Sequence, residues 1–134
     1  MKVLFVCVGN GCRSQMAEGF ARALGHDAAS AGTEPTERVN ETAVAVMREL
    51  GMDITHHAPK LLSFDALDRY DRVITMGCGV AESCPALCND EDWGLDDPVG
   101  SSIETFRRVR DEIRDRVAEL PMVARPHTKL SRSS

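Results

Sequence analysis

The segment with the strongest chemical signal is the run from Cys7 to Ser14, Cys-Val-Gly-Asn-Gly-Cys-Arg-Ser. Five residues separate a thiol from a guanidinium there, so the backbone can curl until successive N–H groups point inward and bind an anion. A helix that begins near Ser14 would add its positive end, and the arginine fork can bind two oxygens at once. The run therefore predicts an oxyanion site that faces a Cys7 thiolate. Its predicted binding residues are Val8, Gly9, Asn10, Gly11, Cys12 and Arg13.

The conformation of this run depends on its small and polar residues. Gly9, Asn10 and Gly11 adopt positive φ angles at little cost, so they are predicted to form a tight loop. Ser14 stands at the predicted start of the helix. Its hydroxyl could donate a hydrogen bond to the Cys7 thiolate or act as an ordinary helix N-cap, and the two roles are compatible.

A second candidate group is Asp97, in the segment Asp96–Gly100 ahead of the last predicted helix. An Asp-Pro pair by itself most often forms a turn. A loop carboxylate that follows a strand can, however, reach an anion site and protonate a leaving oxygen. Together with the run from Cys7 to Ser14, this segment predicts that Asp97 is the general acid.

The remaining cysteines lie close together at Cys78, Cys84 and Cys88. They could be partly buried thiols, or they could bind zinc with His56 or His57, although the two-residue spacing of structural zinc sites is absent. They could also form a redox relay, in which one thiol attacks an activated sulfur and a second thiol moves the disulfide outward. The odd total of five cysteines disfavours a purely structural disulfide framework.

Strand and helix patterns alternate along the chain, which favours one α/β domain with a four-stranded parallel sheet flanked by helices. The predicted strands are residues 2–8, 27–32, 72–76 and 93–95. The predicted helices are residues 14–24, 40–50, 66–70 and 101–120, and a cysteine-bearing loop spans 77–93.

Local signals mark the ends of the predicted helices. Gly25 and Gly51 follow the first two, and Asn40 is a suitable N-cap for the second. Ser101 and Glu104 are predicted to form a capping box at the start of the last helix. The catalytic domain is therefore predicted to span residues 1–120.

Composition narrows the class of protein. The 134 residues carry a formal net charge of −5, which argues against nucleic acid as a partner. No stretch has the length of a membrane span or the pattern of a signal peptide, so we expect a cytoplasmic protein without a membrane partner. We also expect it to act as a monomer. Residues 121–134 contain Arg125, Lys129 and Arg132 and no acidic residue, which predicts a flexible basic tail.

The chain resembles the arsenate reductases that are built on the low-molecular-weight tyrosine phosphatase fold. The resemblance extends to about Leu120. The motifs that carry it are Cys7–Gly19, Ser30–Thr33, Cys84-Pro85, Trp93–Pro98 and Phe106–Ile113.

This resemblance implies a mechanism. Cys7 attacks arsenate that is held by the loop and Arg13, while Asp97 protonates the departing hydroxyl. Cys78 then attacks Cys7, so that arsenite leaves and a disulfide forms. Cys84 attacks Cys78 and frees Cys7. Thioredoxin would reduce the final disulfide with NADPH as the distant electron source, and no bound cofactor is implied.

Two details of the resemblance stay open. Cys78 and Cys84 have five residues between them, whereas the thioredoxin-coupled members have six. The segment Met76–Gly79 looks more like a branch of which part uses a low-molecular-weight thiol and a glutaredoxin-like protein. Cys88 is an alternative to Cys84 as the last relay thiol, and Cys12 is interpreted as part of the loop and not of the relay.

No metal is required by this mechanism. Some members of the family hold a potassium ion through groups that correspond to Asn10, Glu18 and Ser30. The resemblance leaves open whether this chain does so.

The main alternative is a low-molecular-weight protein tyrosine phosphatase, because it shares Cys7, Arg13 and Asp97. That family places aromatic residues directly after its Asp-Pro pair to contact the substrate ring. Val99 and Gly100 stand there in this chain, and a hydrolase has no use for relay cysteines. We therefore favour the reductase and expect weak phosphatase activity from the shared site. An oxyanion or redox sensor is a third, non-enzymatic interpretation.

Overall fold

A parallel sheet forms the centre of the computed structural model, which describes residues 1–77 and 91–123. Within these residues the strand order is β2-β1-β3-β4, and all neighbouring pairs are parallel. The strands are Lys2–Cys7 (β1), Asp27–Gly32 (β2), Arg72–Thr75 (β3) and Glu91–Asp92 (β4). The helices are Arg13–Ala23 (α1), Glu41–Arg48 (α2) and Ile103–Ala118 (α3), with a short 3-10 helix at Phe64–Arg69. The predicted fold class is confirmed.

Strand β1 separates two apolar layers. Its odd-numbered residues, from Val3 to Cys7, pack with the buried faces of all three α-helices. Leu4 and Val6 point the other way and pack against Leu67 of the 3-10 helix. Because side chains alternate along a strand, a strand that is buried on both faces has a continuous apolar sequence, as β1 has.

The strand order indicates which end of the sheet is suited to bind a ligand. From β1 the chain passes to β2 on one side and later to β3 on the other. The connections therefore diverge at the carboxyl end of β1, where open α/β sheets bind their ligands. Cys7 is the last residue of β1 and pairs with Gly32, the last residue of β2.

The predicted fourth strand at residues 93–95 is wrong, because β4 lies at Glu91–Asp92. Gly94 has a φ of 58°, which takes the chain out of the extended conformation. Trp93 N still donates to Thr75 O at 2.9 Å, and the Leu95 side chain is buried. The apolar pattern at these positions thus reflects packing into the core and not a strand.

The predicted capping box at Ser101 and Glu104 is also wrong, because the N-cap of α3 lies one residue later. Ser102 caps α3, with its Oγ accepting a hydrogen bond from Thr105 N at 3.3 Å. Ser101 belongs to the preceding turn, where its N–H donates to Pro98 O at 2.9 Å. By contrast, Asn40 caps α2 as predicted, because its side chain accepts from the N–H groups of residues 42 and 43.

The other described elements begin and end within two residues of their predicted positions. In residues 1–77 and 91–123, no helix is both long enough and apolar enough to span a bilayer. Most of the predicted tail, residues 124–134, lies outside the described residues.

Candidate active site

The loop between β1 and α1 closes around the sulfur of Cys7. Cys7 is 3% exposed, and its Sγ accepts a hydrogen bond from Asn10 N at 3.2 Å. Helix α1 begins at Arg13, and its N-cap residue, Cys12, makes no side-chain capping bond. Ser14, in the first turn of α1, has its Oγ 2.8 Å from Cys7 Sγ, so the positive end of the helix lies close to the sulfur.

The two loop glycines have a different function from the one predicted. Among residues 9–11 only Asn10 has a positive φ, of 49°, so the prediction is wrong for Gly9 and Gly11. A Cβ at Gly9 would lie 3.1 Å from Thr36 Cγ2, and one at Gly11 would lie 2.7 Å from Thr36 Oγ1. Thr36 N also donates to Gly9 O at 2.9 Å. Because Gly9 and Gly11 have no side chains, the segment that contains Thr36 can pack against the loop and support it.

Ser14 is oriented by Asn10. Asn10 Nδ2 donates to Ser14 Oγ at 2.8 Å, and Ser14 Oγ lies 2.8 Å from Cys7 Sγ. Because the serine oxygen accepts from Asn10, its own proton is available to the sulfur. Ser14 follows Arg13 within α1, where Cys12 holds the N-cap position. The structure therefore places Ser14 against the sulfur and not at the N-cap.

A chain of hydrogen bonds continues behind Asn10. Gln15 Nε2 donates to Asn10 O at 3.0 Å and to Asn10 Oδ1 at 3.2 Å. Gln15 Oε1 then accepts from His57 Nδ1 at 2.9 Å. Burial lowers the pKa of His57 more than the Glu18 carboxylate raises it, which favours a neutral ring. Because the amide oxygen of Gln15 can only accept, the proton of that ring is assigned to Nδ1. Each side chain of the chain His57, Gln15, Asn10 and Ser14 therefore donates a hydrogen bond to the next group in the direction of Cys7.

Gln15 and its role in this network could not be found from the sequence. In the structure every residue from 12 to 18 is buried, so the amide of Gln15 needs hydrogen-bond partners. From the sequence, His57 is predicted only as a possible zinc ligand. Lys60 N donates to Asn10 Oδ1 at 2.9 Å, and nothing in the sequence marks that backbone contact.

Arg13 lies next to the same loop and is 5% exposed. Its Nη1 donates to Leu95 O at 2.9 Å and, over a longer distance of 3.4 Å, to Met76 O. Both carbonyls belong to the carboxyl edge of the sheet. The guanidinium is therefore anchored by one nitrogen, while its side chain lines the cavity above Cys7.

A cavity of about 490 Å³ opens above the sulfur. It is lined by the loop, by residues 38–41, and by Asp97 and Val99. Asp97 is exposed, and its Oδ1 accepts from Val99 N at 3.1 Å. The structure thus brings Asp97 to the cavity of Cys7 and Arg13. No aromatic residue is among the described residues that line it.

Cys12 lines the cavity as well but differs from Cys7 in its surroundings. Burial raises the pKa of Cys12 strongly, the nearby Cys7 and Asp97 raise it further, and Arg13 opposes them. A thiol that stays protonated is a poor nucleophile. This environment agrees with the interpretation of Cys12 as a loop constituent.

Glu18, on α1, lies in a second buried cluster below the loop. Ser30 Oγ donates to Glu18 Oε1 at 2.6 Å, and Arg22 Nη2 lies 3.1 Å from Glu18 Oε2. His57 Nδ1, at 3.7 Å from the same Oε2, joins this cluster to the network of Asn10. These oxygen atoms suit a hard cation such as potassium. Arg22, however, already supplies a positive charge to the carboxylate.

The three candidate relay thiols, Cys78, Cys84 and Cys88, lie outside the described residues. The same holds for the zinc interpretation, which depends on them. Within residues 1–77 and 91–123, no cluster of three or more His, Cys, Asp or Glu side chains is arranged to bind a metal.

Comparison with known proteins agrees with this geometry. The family described as low molecular weight phosphotyrosine protein phosphatase matches residues 2–132. Arsenate reductase 1 of Staphylococcus epidermidis is 44% identical over 118 residues, which cover 84% of this chain and 89% of that protein. Glutaredoxin arsenate reductase of Synechocystis sp. is 45% identical over 125 residues, with coverages of 89% and 95%.

A solved structure is similar over the same region. It is described as an arsenate reductase in the phosphate binding state, with 44% identity and a TM-score of 0.74. The match covers 88% of this chain and 95% of that one. The chain therefore belongs to the low molecular weight phosphotyrosine protein phosphatase family and, within it, to the arsenate reductases.

Proposed function

We propose that this protein reduces arsenate to arsenite and that Cys7 is its nucleophile. The observation that carries the proposal is the placement of Cys7 Sγ at the closed end of a cavity, with hydrogen bonds from Asn10 N and Ser14 Oγ. Both donors lie at the sulfur that would attack arsenic, and the thiolate is the reactive form of a cysteine. The loop N–H groups and Arg13 would hold a tetrahedral oxyanion above it.

In the first step the Cys7 thiolate attacks arsenic and forms an S–As bond. One hydroxyl of arsenate departs, and Asp97 supplies the proton with which it leaves as water. Arsenic remains As(V) at this stage. Asp97 suits this role because it is exposed at the rim of the cavity and can regain its proton from solvent.

In the second step a thiolate from Cys78 attacks Cys7 Sγ. The electron pair of the S–As bond leaves with arsenic as arsenite, and a Cys7–Cys78 disulfide forms. Cys84, or alternatively Cys88, then attacks Cys78 and releases the Cys7 thiolate. This sequence consumes two thiol electrons for each arsenate and leaves one disulfide to be reduced.

An external dithiol closes the cycle. The Synechocystis relative is called a glutaredoxin arsenate reductase, which supports a glutaredoxin-like partner; a thioredoxin, with NADPH as its electron source, is the other candidate. We propose that the protein acts as a monomer in the cytoplasm. A potassium ion, where the protein binds one, would be held by Asn10, Glu18 and Ser30. Its positive charge would stabilise the buried Glu18 carboxylate below the loop.

The phosphatase alternative uses the same first step, since phosphate and arsenate have the same shape. Val99, 55% exposed, stands at the cavity where a phosphotyrosine ring would need an aromatic partner. We therefore assign phosphomonoester hydrolysis as a weak side activity. It would proceed by attack of water on a phosphocysteine.

The test is arsenate-dependent oxidation of NADPH in the presence of thioredoxin or glutaredoxin and the matching reductase. The wild-type protein should sustain turnover and release arsenite with at least one of these systems. Cys7→Ser should abolish both arsenate reduction and hydrolysis of p-nitrophenyl phosphate, because one nucleophile serves both. Arsenate turnover that survives in Cys7→Ser would overturn the assignment, and hydrolysis without arsenate turnover in the wild type would favour the phosphatase.

A further inference from the structure

Gly77 lies directly after β3 and Met76 and has a φ of 139°, which residues with side chains rarely adopt. A Cβ at this position would lie 2.7 Å from Leu95 O and 3.0 Å from Leu95 N. It would also lie 3.2 Å from Arg13 Nη1. A side chain at residue 77 is therefore incompatible with the present positions of the Leu95 backbone and the Arg13 guanidinium.

These two neighbours are hydrogen-bonded to each other. Arg13 Nη1 donates to Leu95 O at 2.9 Å, and Leu95 N donates to Met76 O at 2.8 Å. Met76 O is also within 3.4 Å of Arg13 Nη1. Gly77 thus packs over the hydrogen bonds between Arg13 and the carbonyls of Met76 and Leu95. Water has little access to these hydrogen bonds, because Arg13 is 5% exposed.

We propose that Gly77 is a positioning residue for Arg13. Its missing side chain lets Nη1 dock on the carbonyls of Leu95 and Met76, and this docking orients the guanidinium for the oxyanion. The inference rests on the proposed function only in that the cavity above Cys7 binds a tetrahedral oxyanion.

The remaining donors of the arginine support this assignment. Among residues 1–77 and 91–123, Nε and Nη2 of Arg13 have no hydrogen-bond acceptor, so they are available to a ligand in the cavity that Arg13 lines. A planar guanidinium that is fixed at one nitrogen loses little conformational freedom when it binds. If the anchor is lost, the side chain must be ordered at each binding event, and oxyanion affinity falls.

The test measures the concentration of inorganic phosphate that half-protects Cys7 from alkylation by iodoacetamide, followed by peptide mapping. Gly77→Ala should raise this concentration about tenfold or more, the effect of one lost hydrogen bond to a charged group. The matched control is Gly51→Ala, because Gly51 also has a positive φ, of 77°, but has no described atom within 4 Å of its Cβ position and does not line the cavity. It should change the concentration by less than about twofold.

A double-mutant cycle separates positioning from a general loss of structure. In an Arg13→Lys background there is no Nη1 to displace, so Gly77→Ala should then change phosphate protection by less than about twofold. An undiminished effect in that background would overturn the proposal. Equal protection in Gly77→Ala and Gly51→Ala would also overturn it. If phosphate does not protect wild-type Cys7 at all, the proposed oxyanion site itself is wrong.

A measurement on the wild-type protein covers the case in which Gly77→Ala does not fold. Nuclear magnetic resonance of the phosphate-free protein should resolve separate Nη1 and Nη2 signals for Arg13, because docking on two carbonyls prevents rotation of the guanidinium. A single averaged signal would contradict the proposed anchor.

Discussion

Replacement of Ser14 by alanine tests whether the hydrogen bonds around Cys7 are directed toward the sulfur. The serine hydroxyl, 2.8 Å from Sγ, is one of two described donors to it, and the other is Asn10 N at 3.2 Å. A hydrogen bond to a charged group contributes about 1.5–3 kcal/mol. Since each 1.4 kcal/mol is about a factor of ten, Ser14→Ala should slow the reactions of the Cys7 thiolate about 10- to 100-fold.

The assay follows two rates that depend on the same sulfur. One is alkylation of Cys7 by iodoacetamide at neutral pH, read by peptide mapping, and the other is kcat/KM for arsenate. Ser30→Ala is the control, because Ser30 is as fully buried as Ser14 but donates to Glu18 and not to sulfur. Both variants should lose about 1–3 kcal/mol of unfolding free energy through an unpaired buried group. In potassium-free buffer only Ser14→Ala should show the large loss of alkylation rate.

Two outcomes are incompatible with a hydrogen bond from Ser14 to the sulfur. If Ser14→Ala and Ser30→Ala are alkylated at the same rate, the serine proton is not directed at the sulfur. An unchanged alkylation rate together with a large loss of kcat/KM would mean that Ser14 acts on the substrate instead.

Two other predictions concern titration and the relay. The pKa of His57 is lowered by burial, so in acid the unfolded chain binds a proton at this residue more readily than the folded chain does. The free energy of unfolding therefore decreases as the pH drops below about 6.5. In urea unfolding at pH 7.5 and 5.5, His57→Gln should lose less stability on acidification than the wild type; an equal loss would contradict a neutral His57. Cys78→Ser should hydrolyse p-nitrophenyl phosphate at the wild-type rate but release no arsenite, and loss of both activities would instead indicate a structural role for Cys78.

Features that depend on local spacing could be predicted from the sequence. The five residues between Cys7 and Arg13 determine how the backbone curls, and the loop surrounds the sulfur. The alternation of strands and helices likewise predicts a parallel sheet, and Asn40 caps α2 because its side chain acts on its own neighbours.

Features that depend on distant contacts could not be predicted. Asn10 Oδ1 is held by Lys60 N, 50 residues away, and Arg13 by Leu95 O, 82 residues away. Glycine permits positive φ angles, which predicts them at Gly9 and Gly11. In the structure a side chain is excluded at these two positions because Thr36 lies too close. In each case the cause is a tertiary contact that leaves no periodic or local signal.

The proposed thiol relay is tested most directly by a single turnover with one equivalent of arsenate and no reductant. The reaction is quenched with an alkylating agent, arsenite is quantified, and the disulfides are mapped by mass spectrometry. We expect about one arsenite per chain, a disulfide between Cys78 and Cys84 or Cys88, and an alkylated Cys7. Absence of arsenite with all five cysteines alkylated, or a disulfide that does not include Cys78, would contradict the relay.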